Sequence, residues 1–190
     1  MQFTTKELME LTEMWLKDRK ITTNGNTNSQ VIKFLEEFGE TALGIVTKDA
    51  HEVKDGLGDM AVVMTAITGL IIRDTPSLSE NQVVSVLDVF GEKDFRNYEV
   101  VSTEIQALQL VVSLGTLCGF LARGKNEEAF ECLKDNFDNI AFLAHCTGSD
   151  INESWNIAYD EIKDRKGFLN EDGIFIKESD VIEGKAEAVA

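Results

Sequence analysis

"VKDGLGDMAVVMTAITGLII", residues 53–72, decides the fold. From Met60 to Ile72 it is apolar on every side of a helical wheel, so a helix here is buried all round. The run is too short to cross a bilayer, which takes about 20 residues. The helix predicted over 51–73 therefore belongs to a protein core. Just ahead of the apolar run stand Asp55 and Asp59, at i and i+4, on one face at the mouth of the buried segment.

Outward from this helix the same 3.6-residue period repeats, and the chain holds a single proline. The expectation is an all-α helical bundle with flanking helices and a small C-terminal hairpin. A first helix runs over 5–20, with Leu8, Leu11, Met14 and Trp15 on one side. "TTNGNTNS" (22–29) is a polar loop ending in an N-cap at Asn28 or Ser29. Helices follow over 30–47, 51–73, about 80–90, 99–123, 127–146 and 150–166, with "GEKDFRNYE" (91–99) as a loop. "GFLNEDGIFIKE" (167–178) reads as a hairpin turning at Asp172-Gly173. The last residues, 179–190, are small and acidic and read as a disordered tail.

A formal charge of -16 leaves no excess of Lys or Arg to displace phosphate counterions, so nucleic acid is not an expected partner. Cys118, Cys132 and Cys146 are odd in number and lack CxxC spacing, as befits thiols in a reducing cytosol. The N-terminus "MQFTTKELMEL" lacks the basic and apolar regions of a signal peptide. The expected setting is cytoplasmic, away from any membrane.

Two stretches recur. "KDGLGDMAVV" (54–63) aligns with "KDNFDNIAFL" (134–143) at an offset of 80, and "EEFGETALGIV" (36–46) with "VSLGTLCGFLA" (112–122) at 76. The register keeps the Lys-Asp pair and a glycine, Gly39 and Gly115. This reads as two related helical hairpins, 31–69 and 107–148, forming a four-helix core within one domain over 1–178. In the second copy Glu36 becomes Val112, Glu37 Ser113, Glu40 Thr116 and Asp59 Asn139, while Asp55 keeps its counterpart Asp135. One hairpin is acidic and the other neutralised, a pattern that suits one working site beside one structural copy.

Glu37 and Glu40 lie about 60° apart on their helix, and its apolar arc (Phe34, Leu35, Phe38, Ala42, Ile45, Val46) lies opposite. Alone, that describes a wet acidic face. With Asp55 and Asp59 at the mouth of a buried helix it describes a carboxylate cluster part-way into a bundle, costly unless a cation neutralises it. Donors that are all oxygen suit Mg²⁺ or Mn²⁺, and no Glu-x-x-His is present for a di-iron site. His51 and His145 match no ligand spacing.

The ordered set resembles the MazG-like all-α nucleoside triphosphate pyrophosphohydrolases, a group with relatives acting on dUTP, dCTP and phosphoribosyl-ATP. It comprises EExxE (Glu36, Glu37, Glu40), then Asp55 and Asp59 after a short loop, then "AYDEIKDRKGFLNEDGIFIKE" (158–178). The last element is similar to that of short phage-type members. The resemblance implies attack of water on the α-phosphorus of a (deoxy)nucleoside triphosphate, yielding monophosphate and pyrophosphate. It implies Glu37, Glu40 and Asp59 as Mg²⁺ ligands, with Glu36 beside them helping a second ion or activating water. The family's second motif is E-x-x-D, and its Glu falls on Gly56 here, so Asp55 is the candidate fourth ligand.

Pyrophosphate needs cations. Lys163, Arg165 and Lys166 cluster at the end of the 150–166 helix, with Lys177 and Lys54 as further candidates, although basic residues also favour a helix C-terminus for its own sake. Trp15, Phe34 and Phe38, or Asn24, Asn26 and Asn28, could meet a base; each also has an ordinary role in a core or a turn. Relatives of this kind assemble, so a homodimer is expected, or a monomer if the second hairpin replaces a partner's. The competing reading is a non-catalytic acidic helical protein that mimics DNA or grips a basic partner.

Overall fold

A computed structural model of the chain describes residues 2–81, 95 and 98–182. Among these, nine helices and one two-stranded hairpin form an all-α fold. The elements are α1 (Thr5–Asp18), α2 (Ile21–Asn24), α3 (Thr27–Thr47), α4 (Ala50–Arg73), α5 (Pro76–Asn81), α6 (Thr103–Leu121), α7 (Asn126–Cys146), α8 (Ile151–Ile162), β1 (Gly167–Leu169), β2 (Phe175–Lys177) and α9 (Glu178–Ile182). The helix expected over 80–90 and most of the 91–99 loop lie outside the described residues.

α4 is the hub. It packs along α3, α8 and α7, and α1, α2 and α5 also touch it. Its apolar run behaves as expected: Leu57, Met60, Met64, Ile67 and Leu70 are all fully buried. One hydrophobic core gathers Leu57, Met60, Met64 and Ile67 with Leu8 and Leu16 of α1, Phe34 of α3, Leu133 and Ile140 of α7 and Trp155 of α8. Trp155 Nε1 donates to Thr12 Oγ1 at 3.1 Å, which locks α8 to α1. The expected hairpins are α3–α4 and α6–α7, but their packing is unequal, since α6 lies along α7 and only touches α3.

Local chemistry moves several boundaries. α3 begins earlier than expected because its N-cap is Asn26, whose side chain accepts from Asn28 N–H and Ser29 N–H. Part of the expected polar loop is the short helix α2, and "TPSLSE" enters α5. α8 stops at Ile162 rather than 166, and the carbonyls of Lys163 and Arg165 turn outward to Arg19. The hairpin pairs Gly167 with Lys177 and Leu169 with Phe175, and Gly173 turns it at φ 73°. Of the tail, residues up to Ile182 belong to α9.

α4 and α6 are both long and apolar enough to cross a membrane by length and composition. In α4, 78% of that stretch is buried inside the protein; in α6, only 22%.

Candidate active site

The face α3 turns to α4 differs from the expected apolar arc. Phe34, Glu37, Thr41 and Gly44 are buried there, whereas Leu35 and Val46 are exposed. Small residues explain the rotation. A Cβ at Gly56 would stand 2.3 Å from Thr41 Oγ1 and 3.1 Å from Glu37 O; one at Gly58 would stand 2.2 Å from Ser154 O. Two glycines thus let α3 and α8 close on α4 from different sides. The close approach carries Glu37 inside, where it is 2% exposed.

Beside this contact lies a cavity of about 570 Å³, within the range of small-molecule sites. Its acidic wall is Glu36, Glu37 and Glu40 of α3 with Asp55 and Asp59 of α4, so all five expected carboxylates share it. Lys33, Arg165 and Lys177 also line it. Its apolar lining includes Trp15, Val62, Ile162 and Phe175. Phe175 of β2 meets Trp15 edge-on at 5.8 Å between ring centroids, so the hairpin forms part of the enclosure.

The charges are congested. Burial, with Glu37 and Asp55 nearby, pushes the Asp59 carboxyl up to about 7, against the pull of Arg165 and Lys33. Burial also raises Glu37, with Glu40 adding to it, despite an ion pair from Glu37 Oε1 to Lys33 Nζ at 2.6 Å. Lys33 also reaches Glu36 Oε2 at 3.3 Å. Burial draws the Lys33 ammonium down, but the bond and charge of Glu37 and Glu36 outweigh it and hold it above its ordinary value. Asp55 Oδ1 is buried with no hydrogen-bond partner.

Among the described residues, no three of His, Cys, Asp and Glu stand in an arrangement that would hold a metal ion as the side chains lie. Lys33 forms ion pairs with two of these carboxylates, Glu36 and Glu37. The donor set nonetheless fits a hard divalent ion: every donor is a carboxylate, one buried oxygen is unpartnered, and burial with neighbouring acids raises both Glu37 and Asp59 above their ordinary values. Gly56 cannot be replaced by the acid of an E-x-x-D pattern without parting α3 from α4.

Of the three basic residues expected to meet phosphate, Arg165 lines the cavity; Lys163 and Lys166 do not. Lys163 pairs with Asp160, and Lys54 with Glu153 at 2.8 Å. Phe34 is core and Asn26 a helix cap, while Trp15 lines the cavity. The sequence reading passed over Lys33, although its spacing to Glu36 and Glu37 (i+3, i+4) marks it as their partner. It also passed over Arg19. Arg19 Nε and Nη2 donate to Arg165 O at 2.9 and 2.7 Å, and its guanidinium lies 4.5 Å over the Trp15 ring, which fixes the turn that carries Arg165.

At the corresponding positions of α6–α7 neutral groups bond one another, although Gln106 Oε1 is buried without a partner. Ser113 Oγ bonds Asn136 Oδ1 at 3.1 Å, Asn136 Nδ2 donates to Cys132 O at 2.8 Å, and Gln106 Nε2 donates to Asn139 Oδ1 at 3.0 Å.

A protein of Haemophilus phage HP1 (strain HP1c1), described as an uncharacterized 18.2 kDa protein of the rep-hol intergenic region, is 29% identical to this chain over 127 residues. The alignment covers 61% of this chain and 72% of the phage protein. No family model matches the chain, and no solved structure matches it.

Proposed function

We propose that the protein hydrolyses (deoxy)nucleoside triphosphates to a monophosphate and pyrophosphate with Mg²⁺, or Mn²⁺, as cofactor. The observation that carries the reading is a single cavity lined by carboxylates from two helices, by Arg165 and Lys177, and by the aromatic rings of Trp15 and Phe175. Glu37, Glu40, Asp55 and Asp59 are the residues that would hold the ion. It would supply Lewis-acid polarisation and neutralise phosphate charge.

The chain's own residues account for the rest. Arg165 and Lys177 bind the β- and γ-phosphates and favour departure of pyrophosphate. The Trp15–Phe175 wall gives the base an apolar surface to lie against. Glu36, at the open edge of the acidic wall, orients a water and accepts its proton. The water oxygen bonds to the α-phosphorus, the bond from that phosphorus to the α,β-bridging oxygen breaks, and pyrophosphate leaves with the electron pair. The crowding that raises Asp59 and Glu37 is relieved when a cation enters, so ion and triphosphate favour each other's binding.

The test is a panel of NTPs and dNTPs with Mg²⁺ in ¹⁸O-labelled water. Expected products are pyrophosphate and a monophosphate carrying the label, and Glu40→Gln abolishes turnover while far-UV circular dichroism is unchanged. Release of free phosphate instead would place cleavage at the γ-position. Absence of hydrolysis with every nucleotide would favour the acidic binding protein.

A further inference from the structure

The C-terminal hairpin is attached to the bundle unlike any other segment that lines the cavity. Ile174, Phe175 and Lys177 reach the site, yet among the described residues no hydrogen bond or ion pair joins 166–182 to any of α1–α8. The polar groups of the hairpin bond within it. Asn170 Oδ1 accepts from Asp172 N–H at 3.1 Å and from Ile174 N–H at 2.9 Å, and Glu178 N–H donates to Lys166 O at 3.0 Å. α9 packs on the two strands and buries no side chain.

What seats this unit is van der Waals contact. Phe175 meets Trp15 edge-on, and the tip rests on the α2–α3 junction, where a Cβ on Gly173 would stand 2.9 Å from Asn24 O. Just before the hairpin the chain is clamped instead. Arg19 donates to Lys163 O at 3.3 Å and to Arg165 O at 2.9 and 2.7 Å, with its guanidinium stacked on Trp15. Firm attachment therefore ends at Arg165. Alternate residues of a strand share a face, so Phe175 and Lys177 travel together. The Lys177 ammonium makes no ion pair, although five carboxylates line the same cavity.

We propose that residues 166–182 form a flap that pivots between Arg165 and Lys166, opens by parting Phe175 from Trp15, and closes on a bound di- or triphosphate through Lys177. Movement is needed because Trp15 is 7% and Glu37 2% exposed, so a ligand finds little of either surface to grip. The flap is the segment that can supply it. Its opening breaks no hydrogen bond to the bundle, whereas the helices that line the cavity carry core side chains. A phosphate that meets Lys177 only when the flap is shut binds the closed state better, and that difference shifts the population. The closing step rests on the nucleotide reading; the pivot does not.

The chain has two tryptophans, Trp15 at the seat of the flap and Trp155 fully buried in the core. Full-length protein labelled with 5-fluorotryptophan therefore gives one ¹⁹F signal for each. Relaxation dispersion on the microsecond-to-millisecond timescale of lid opening is expected at Trp15 and absent at Trp155. Saturating Mg²⁺ with pyrophosphate flattens the Trp15 profile. Lys177→Gln keeps the dispersion of the free protein, and the same pyrophosphate concentration no longer flattens it. A flat Trp15 profile in the free wild type, or equal dispersion at both tryptophans, overturns the pivot. Calorimetry on the same mixture separates the two readings. Pyrophosphate that binds while Trp15 disperses as before overturns the closure, whereas pyrophosphate that does not bind overturns phosphate recognition by the site itself.

Discussion

Lys33 stands where an incoming cation must act. Its ammonium neutralises Glu37 and Glu36 in the structure, so a divalent ion binding those carboxylates has to displace it, and the freed ammonium can then meet a phosphate. Lys33→Met removes the competitor and strands a buried acid. The expected result is Mn²⁺ affinity raised several-fold in an electron paramagnetic resonance titration, with metal-free stability at pH 8 lowered by about 2 kcal/mol in urea. Unchanged Mn²⁺ affinity would mean that Lys33 is not the resident counter-ion. A second pair of variants separates the basic residues. Arg165→Ala is expected to raise KM for the triphosphate about tenfold, whereas Lys163→Ala, whose ammonium is taken by Asp160, leaves it unchanged. At this scale the acids were legible because helical spacing fixes which of them share a face. Arg19 was not, since its bonds to Arg165 span 146 positions and leave no local trace.

At the scale of the element, the glycines of α4 do what helix propensity argues against. Glycine inside a helix costs up to about 1 kcal/mol relative to alanine, yet Gly56→Ala is expected to destabilise. Its methyl would lie 2.3 Å from Thr41 Oγ1, and overpacking of this kind costs about 1–3 kcal/mol. The urea midpoint reports that loss. Mn²⁺ affinity should fall with it, because parting α3 from α4 moves Glu37 and Glu40 away from Asp55 and Asp59. A midpoint equal to or above that of the wild type would show that the contact is not tight. The same contact explains what the sequence could and could not convey about α3. Period and apolarity located the helix, but its buried side was set by small residues on a neighbour, and Glu37 went in where Leu35 had been expected. Short helices such as α2 and α5 carry too few residues to show a period. The first turn of α3, "TNSQ", is polar and hid its own start.

For the molecule as a whole, the all-α class followed from a buried helix and a sparse use of proline. The asymmetry did not follow. α8 lies against α4, delivers Arg165 to the acidic wall, and shows no pairing signal in the sequence. Concentrating acids beside a core couples global stability to pH. In the metal-free protein Asp59 holds its proton up to about pH 7, whereas in the unfolded chain it releases it near its ordinary value of 3.8. Between those values the native state binds more protons than the unfolded state, so the unfolding free energy falls as pH rises. Glu37, also raised, acts in the same direction. The lowered acids, Glu7, Glu104, Glu128 and Asp160, release their protons below the ordinary carboxylate range and leave this window alone. The unfolding free energy obtained from urea titration without metal should therefore drop between pH 5.5 and pH 8, by an amount of the order of a few kcal/mol at most. Asp59→Asn should remove most of the drop. Mg²⁺ binds the deprotonated carboxylates of the native state, so it should stabilise the protein more at pH 8 than at pH 5.5 and flatten the profile. A midpoint that rises with pH in the metal-free wild type would show that these carboxylates sit in water rather than against one another, and the site would lose its reason to bind a cation.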